Sequence, residues 1–524
     1  MRCTSLFIPA FLAVVSSATN SLRETKDFNV TQALHDQGID VPELPVSADD
    51  AKRSDTGCAA TCASLNILYG GTAVETRKEK AFEDFTSSYW FSNQAEVNPY
   101  CTFIPQGPIQ ISVAVMLARL AQCPFAAKSG GHAAFAGASS IEGGITISFA
   151  NLKKPGNIWG SVYEKLGKSD LSVVGGRLYN IGVGGLTTGG IYSYPLTLSS
   201  KTNWTKAVVL ANGAIVKASA TALPDMYWAL RGGGINFGLI VKFNLKTIPL
   251  PKGEMWGGSR VYTEDKFPEV TDALFNILKN SEKDPKAGIY GVWIYNEGNR
   301  LSIPALYYTE PDASNATIWK DFNEIEAISD TTQNRVLAEC GKEIMKDSPP
   351  GLREVYYVIT TKLDHGILEY ARDYFYKTAP TVADVSGIVP VFVVQGVTTP
   401  QLKQMQKNGG NALGIDPESG PLFILQLCVM WNKQFDDEAI YGWMSDIFQV
   451  VTTEAKARGV NNDYVYMNYA SQYQDAIASY GSGNKAKLKG IVKKYDPQQV
   501  FQKLQPGYFK LDRAPIPNSG YFSH

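Results

Sequence analysis

The sequence predicts an α+β fold: a glycine-rich first half, then an antiparallel sheet covered by helices. Three observations predict it. Glycine clusters at 130–131, 175–190 and 232–238 fall within one stretch of mixed helix and strand patterning. A hairpin signal, Asn212-Gly213, sits between two apolar runs. Beyond Pro249-Leu-Pro251-Lys-Gly253, strand candidates are separated by longer helical stretches, the pattern of helices laid over a sheet.

The elements follow in order. Pro108 suits a first helical turn, and Val113, Met116, Leu117 and Leu120 keep helical spacing, so 108–122 is a helix. Pro124–Lys128 is a short strand running into Ser129-Gly130-Gly131-His132. Val208–Ala211 and Ile215–Ala218 form a hairpin closed by a type I′ turn. A short helix begins near Pro224, with Asp225 in its first turn, and ends at Arg231-Gly-Gly-Gly234. Phe237, Leu239, Val241, Phe243 and Leu245 then alternate with polar residues, which reads as a half-buried strand.

In the second half, strands are expected at 289–295, 300–308, 388–395 and 421–431, and helices near 265–280, 361–378 and 434–457. Tyr464–Tyr469 alternates like a strand, and Leu488, Ile491, Val492 and Tyr495 mark a helix stopped by Asp496-Pro497. The expected organisation is a signal peptide at 1–18, a loosely ordered leader at 19–56, a first domain at 57–250, a second at 251–460, and a segment at 461–524 that returns to the first.

Composition narrows the function classes. A formal net charge of −1 over 524 residues, with no basic stripe, leaves no footprint for nucleic acid. Arg2, the apolar run Leu6–Val15 and Ser16-Ser-Ala18 read as a secretory signal too short to span a bilayer, so no membrane segment is expected and the chain is read as secreted. Asn29, Asn203 and Asn315 head glycosylation sequons. Cys58, Cys62, Cys101, Cys123, Cys340 and Cys428 remain after the signal, an even set that favours disulfides. Cys62 with Cys123 is the pairing expected first. The four histidines show no metal-ligand spacing, and no G-x-S-x-G elbow accompanies them, so the chemistry points to a cofactor.

Lys128-Ser129-Gly130-Gly131-His132 places two glycines after a strand, where backbone amides can approach a pyrophosphate and a histidine follows. Gly182-Val-Gly184-Gly185-Leu186-Thr187-Thr-Gly189-Gly190 and Gly234-Ile-Asn236-Phe-Gly238 repeat that logic. Neither is a Walker loop or a dinucleotide fingerprint. Three such loops together suggest an extended ligand lying against backbone.

These motifs, with Val174-Gly-Gly-Arg177, Trp228-Ala-Leu-Arg-Gly-Gly-Gly234, Gly409–Gly414, Tyr466-Met-Asn468-Tyr469 and Asp496-Pro497, resemble the fungal branch of berberine bridge enzyme-like oxidoreductases, in the vanillyl-alcohol oxidase superfamily. The resemblance runs from about Cys58 to Leu511. It implies a two-subdomain PCMH-type FAD-binding domain, its core at about 96–250, under a substrate domain. It implies FAD bonded through its 8α-methyl to His132. Relatives that add a cysteinyl bond carry the cysteine near the position of Leu178, so one histidyl link is expected here. Lys128, Ser129, Gly130, Gly131, Gly184, Gly185, Leu186, Thr187, Gly189, Gly234, Asn236 and Gly238 are the expected cofactor contacts.

The resemblance also implies hydride transfer from a small molecule (an alcohol, sugar or secondary metabolite) to flavin N5, with molecular oxygen as acceptor. By strand alternation Tyr466 and Asn468 share a face: Tyr466 is the candidate base and Asn468 a flavin contact, while Tyr469 points opposite. Gln426, mid-strand in the second domain, could line the pocket, though sheet packing is the preferred reading. Two stretches depart from the family pattern, a shortened 152–159 and an altered 189–205. They leave open a dehydrogenase using another acceptor and an inactive binding protein that keeps the fold.

Overall fold

The computed structural model describes residues 24–47, 54–152, 156–190, 205–346 and 348–512. The signal segment, the Asn203 sequon, and residues 153–155 and 191–204 of the two divergent stretches lie outside the described residues.

A four-stranded sheet runs in the order Val74–Thr76, Cys101–Phe103, Ile145–Ser148, Phe125–Lys128. Its last three strands are parallel, as Cys101↔Ile145 and Phe125↔Ile145 show. Parallel strands need a crossover, and the helix Pro108–Leu120 supplies the one from Cys101–Phe103 to Phe125–Lys128, on either side of Ile145–Ser148. That helix is apolar nearly all round, and residues 111–119 are buried. The glycine-histidine loop leaves the carboxyl end of Phe125–Lys128, where ligands of α/β sheets gather.

Beside it, Ile215–Ala218, Thr205–Val209 and Leu239–Asn244 form a three-stranded antiparallel sheet. A bulge between Ala207 and Val208 shifts the register against Leu239–Asn244. Leu239 and Val241 therefore face one core cluster, and Ile240 and Phe243 another. The hairpin turn differs from expectation. Gly213 has φ 77°, but Asn212 is not in the positive-φ region that a type I′ turn requires at both positions. Gly213 N–H instead donates to Leu210 O at 3.0 Å, and the loop is a type I turn followed by a left-handed glycine.

The third sheet has ten strands, arranged antiparallel around Ala287–Asn296, Val389–Val397, Leu422–Trp431 and Arg353–Lys362. Glu254–Thr263 and Arg353–Lys362 were not expected as strands. Gly257-Gly258 interrupts the first pattern, and the second ends where a helix was expected to begin. Helices Phe267–Lys279, His365–Thr378 and Asp437–Ala457 cover one face. Val355, Leu425, Leu427 and Val429 pack under them. The opposite face looks onto the glycine loops.

Three further expectations are corrected. Residues 24–47 are not a loose leader: the helix Val30–His35 buries Leu34, and Val41, Leu44 and Val46 join the same core. Glu24 pairs with Arg119 at 2.7 Å. The disulfides are Cys58–Cys123 and Cys62–Cys101, not Cys62–Cys123, while Cys340 and Cys428 are free. Finally, 464–469 is no strand, since Met467–Tyr469 is a single 3-10 turn with Tyr469 N–H on Tyr466 O at 2.9 Å. The helix before Asp496 is as expected, Ser482–Tyr495, with all four marker residues buried. Among the described residues no helix is long and apolar enough to cross a membrane.

Candidate active site

A cavity of about 620 Å³ separates the glycine loops from the large sheet. The two principal loops interlock. A Cβ on Gly130 would meet Gly182 Cα and N at 2.5 Å, and one on Gly182 would meet Gly130 N at 2.4 Å. No side chain fits at either position, so both backbones reach the cavity edge. Gly184 N–H donates to Ser129 Oγ at 3.2 Å and ties the loops together. A Cβ on Gly185 would meet nothing within 4 Å, which leaves open room along the cavity wall.

His132 lines the same cavity. Its ring stacks on Trp90 (centroids 5.0 Å, 13° between planes) and meets the edge of Phe91 at 5.2 Å. Nε2 is buried and makes no hydrogen bond of normal geometry. Burial pushes the imidazole pKa down to about 4, against the opposing effect of the neighbouring Asn180. The ring is therefore neutral at pH 7, with a lone pair not committed to a proton.

The C-terminal turn closes the end of the Gly182–Gly190 loop. Tyr466 hydroxyl and Asn468 Nδ2 both donate to Gly190 O, at 2.7 and 2.6 Å. Asn468 Nδ2 also reaches Leu186 O at 3.1 Å. Residues three apart eclipse in a 3-10 turn, so Tyr469 swings beside Tyr466, with ring centroids 4.8 Å apart. Tyr469 thus borders the cavity, contrary to strand alternation. Its hydroxyl accepts from the Arg177 guanidinium and donates to Gln395 Oε1 at 3.1 Å. Arg177 also lies over the Tyr290 ring, 4.3 Å from its centroid.

Twelve of the fifteen expected site residues line the cavity: Ser129, Gly130, Gly131 and His132; Gly184, Gly185, Leu186 and Gly189; Gly234 and Gly238; Tyr466 and Asn468. Three lie behind it. Lys128 turns back to Ser88 Oγ and Phe85 O, its ammonium 3.8 Å from the Tyr89 ring centroid. Thr187 bonds Val183 O within its own helix. Asn236 holds Gly233 O, Phe509 O and Gln502. These three shape the loops from outside.

Residues without an expected role also line the wall. Arg177 was visible only as the end of a glycine motif. Gln426, read as packing, borders the cavity, as do Glu354, Tyr356 and Cys428. These last three gave no signal because a buried strand with polar residues on its site face looks like any amphipathic strand.

A glycine-built cradle, a buried neutral imidazole beside it and a broad sheet opposite define a flavin-dependent oxidoreductase. Known proteins agree. The chain is 31% identical over 506 residues to the FAD-dependent monooxygenase drtC of Aspergillus calidoustus, covering 91% of this chain and 95% of that protein. It is 30% identical over 506 residues to the FAD-dependent monooxygenase tpcD of Cochliobolus heterostrophus, covering 89% and 96%. The fold matches xylooligosaccharide oxidase from Myceliophthora thermophila, solved with xylobiose (TM-score 0.70, 20% identity, 88% of this chain and 100% of that one). It also matches glucooligosaccharide oxidase from Acremonium strictum, described with a 6-S-cysteinyl, 8α-N1-histidyl FAD (TM-score 0.70, 18% identity, 88% and 100%). No family model matches the chain. The chain belongs to the FAD-dependent oxidoreductases, it has the fold of these oligosaccharide oxidases, and FAD is its cofactor.

Proposed function

We propose that this protein is a secreted oxidase that carries FAD on a single bond to His132 and takes a hydride from a small-molecule alcohol, with molecular oxygen as acceptor. One observation carries the reading: His132 is neutral, held between aromatic rings, and presents a buried nitrogen without a hydrogen bond beside a cradle of glycine backbone. When bound, FAD supplies a two-electron acceptor for the hydride. The resemblance puts the cysteinyl position near Leu178, and the leucine that lines the cavity there supports a single link.

The chain supplies the rest. The Ser129–His132 and Gly182–Gly190 loops hold the cofactor through backbone groups. Tyr469 is the group best suited to take the substrate proton. Its hydroxyl borders the cavity between the Arg177 guanidinium and Gln395 Oε1, where it can meet a bound substrate. Tyr466, the candidate base from the sequence, donates to Gly190 O and with Asn468 fixes that loop. The two disulfides support an oxidising compartment and so secretion.

A second reading, in which one oxygen atom enters the product, is favoured by the monooxygenase names of the relatives. The test is direct. Purified protein precipitated with acid should stay yellow, and His132→Ala should release its flavin to the supernatant. Peroxide formed one-for-one with product identifies the oxidase, and label from ¹⁸O₂ in the product identifies the second reading. A colourless preparation with no flavin in either fraction overturns both.

A further inference from the structure

The sheet wall of the cavity carries polar groups that hydride transfer leaves unused. Glu354 and Tyr356 alternate along Arg353–Lys362 and pair in register with Met430 and Cys428 of Leu422–Trp431. Alternation puts all four on the cavity face. Glu354 is only 3% exposed. The Cys428 thiol donates to its Oε1 at 2.8 Å, while Oε2 is buried with no hydrogen-bond partner. Around them the wall is aliphatic, with Val292, Ile294, Ile303, Val391 and Val393.

A carboxyl in such a place is costly to ionise. Burial pushes Glu354 up to about 8, outweighing the Cys428 and Tyr356 hydrogen bonds that act the other way. The neutral acid accepts at Oε1 from Cys428 and has the Tyr356 hydroxyl beside it, and the capacity left over lies at Oε2, as an O–H donor. Donors left buried and unpaired penalise any ligand that fails to satisfy them. Aliphatic neighbours equally penalise a ligand with many hydroxyls.

We propose that Glu354 is the substrate-recognition group of this cavity, its Oε2 donating to a carbonyl oxygen on an otherwise apolar ring-bearing substrate, away from the carbon that is oxidised. This rests on the reading of the cavity as the active site of a flavin oxidase. Cys428 and Tyr356 hold the carboxyl in place as positioning residues.

The test uses holoenzyme and a matched pair of probes, 1-tetralone and tetralin, which differ by one carbonyl oxygen, with cellobiose as the sugar control. Binding is read by perturbation of the flavin spectrum and independently by calorimetry. Wild type should bind 1-tetralone at least about tenfold more tightly than tetralin, with cellobiose weaker than both. Glu354→Leu should erase the preference for the ketone, and Glu354→Gln, which keeps a donor in the same volume, should retain it. Equal binding of the pair, no binding of the ketone, tighter binding of cellobiose, or a preference that survives in Glu354→Leu overturns the inference. Yellow holoenzyme with no ketone preference rejects this inference and leaves the oxidase reading standing. A colourless protein rejects that reading, and calorimetry still decides the role of Glu354.

Discussion

Gly130 and Gly182 meet backbone to backbone, and neither position has room for a methyl group. Their contact joins two loops that are 52 residues apart in the chain, and it forms one edge of the cavity. Gly130→Ala or Gly182→Ala would force backbone apart, since no flexible side chain is available to yield. Each should destabilise the fold by about 1–3 kcal/mol and lower the bound flavin per chain. Thermal unfolding and the visible absorbance ratio of purified protein measure both effects.

The two tyrosines of the C-terminal turn should separate cleanly. Tyr469→Phe removes the hydroxyl that faces Arg177 and should lower kcat by about 10²–10⁴. Tyr466→Phe removes one bond to Gly190 O while Asn468 keeps another, so its loss in kcat should stay within about tenfold. Stopped-flow reduction of the flavin distinguishes them; equal losses would return the base role to Tyr466.

Glu354 gives a pH signature of its own. Its pKa is about 8 in the fold against 4.5 for the free side chain, with Cys428 and Tyr356 as its titratable neighbours. Between those values the folded state binds the extra proton, so the stability due to this group is full below about 4.5 and falls as pH rises through 8. Glu354→Gln should remove that decline, which is on the order of a few kcal/mol. Urea unfolding at a series of pH values, wild type against variant, measures it.

The disulfide Cys62–Cys101 closes a 39-residue separation and ties the helix Ser54–Tyr69 to the parallel sheet. Cys101→Ser should cost about 3–4 kcal/mol. Unfolding midpoints with and without reductant check this, and peptide mapping should find Cys62 newly free.

Much of the glycine-loop side of the cavity was legible in the sequence because glycine is informative wherever backbone must approach backbone. Gly130, Gly131, Gly184 and Gly185 stand where their spacing put them. The sheet side was not legible. Glu354 sits in a strand whose start, Arg353-Glu354, lacks an apolar lead, and its role depends on Cys428, 74 residues away. Tyr469 was assigned to the wrong side for a simpler reason. Tyr464–Tyr466 alternates with a period of two, but the chain turns at Met467–Tyr469 in a 3-10 step with a period of three. Residues 24–47 were read as loose because few apolar side chains mark them, yet Leu34, Val41, Leu44 and Val46 suffice to seat the segment.

The strand pair Arg353–Lys362 and Leu422–Trp431 holds its register through ten consecutive residue pairs by main-chain bonds. Its cavity-facing side chains take no part in that ladder, nor in the glycine loops across the cavity. Diversification can therefore proceed on one surface alone. Exchanges at 354, 356, 426, 428 and 430 would reshape this wall of the cavity while the glycine loops are inherited intact.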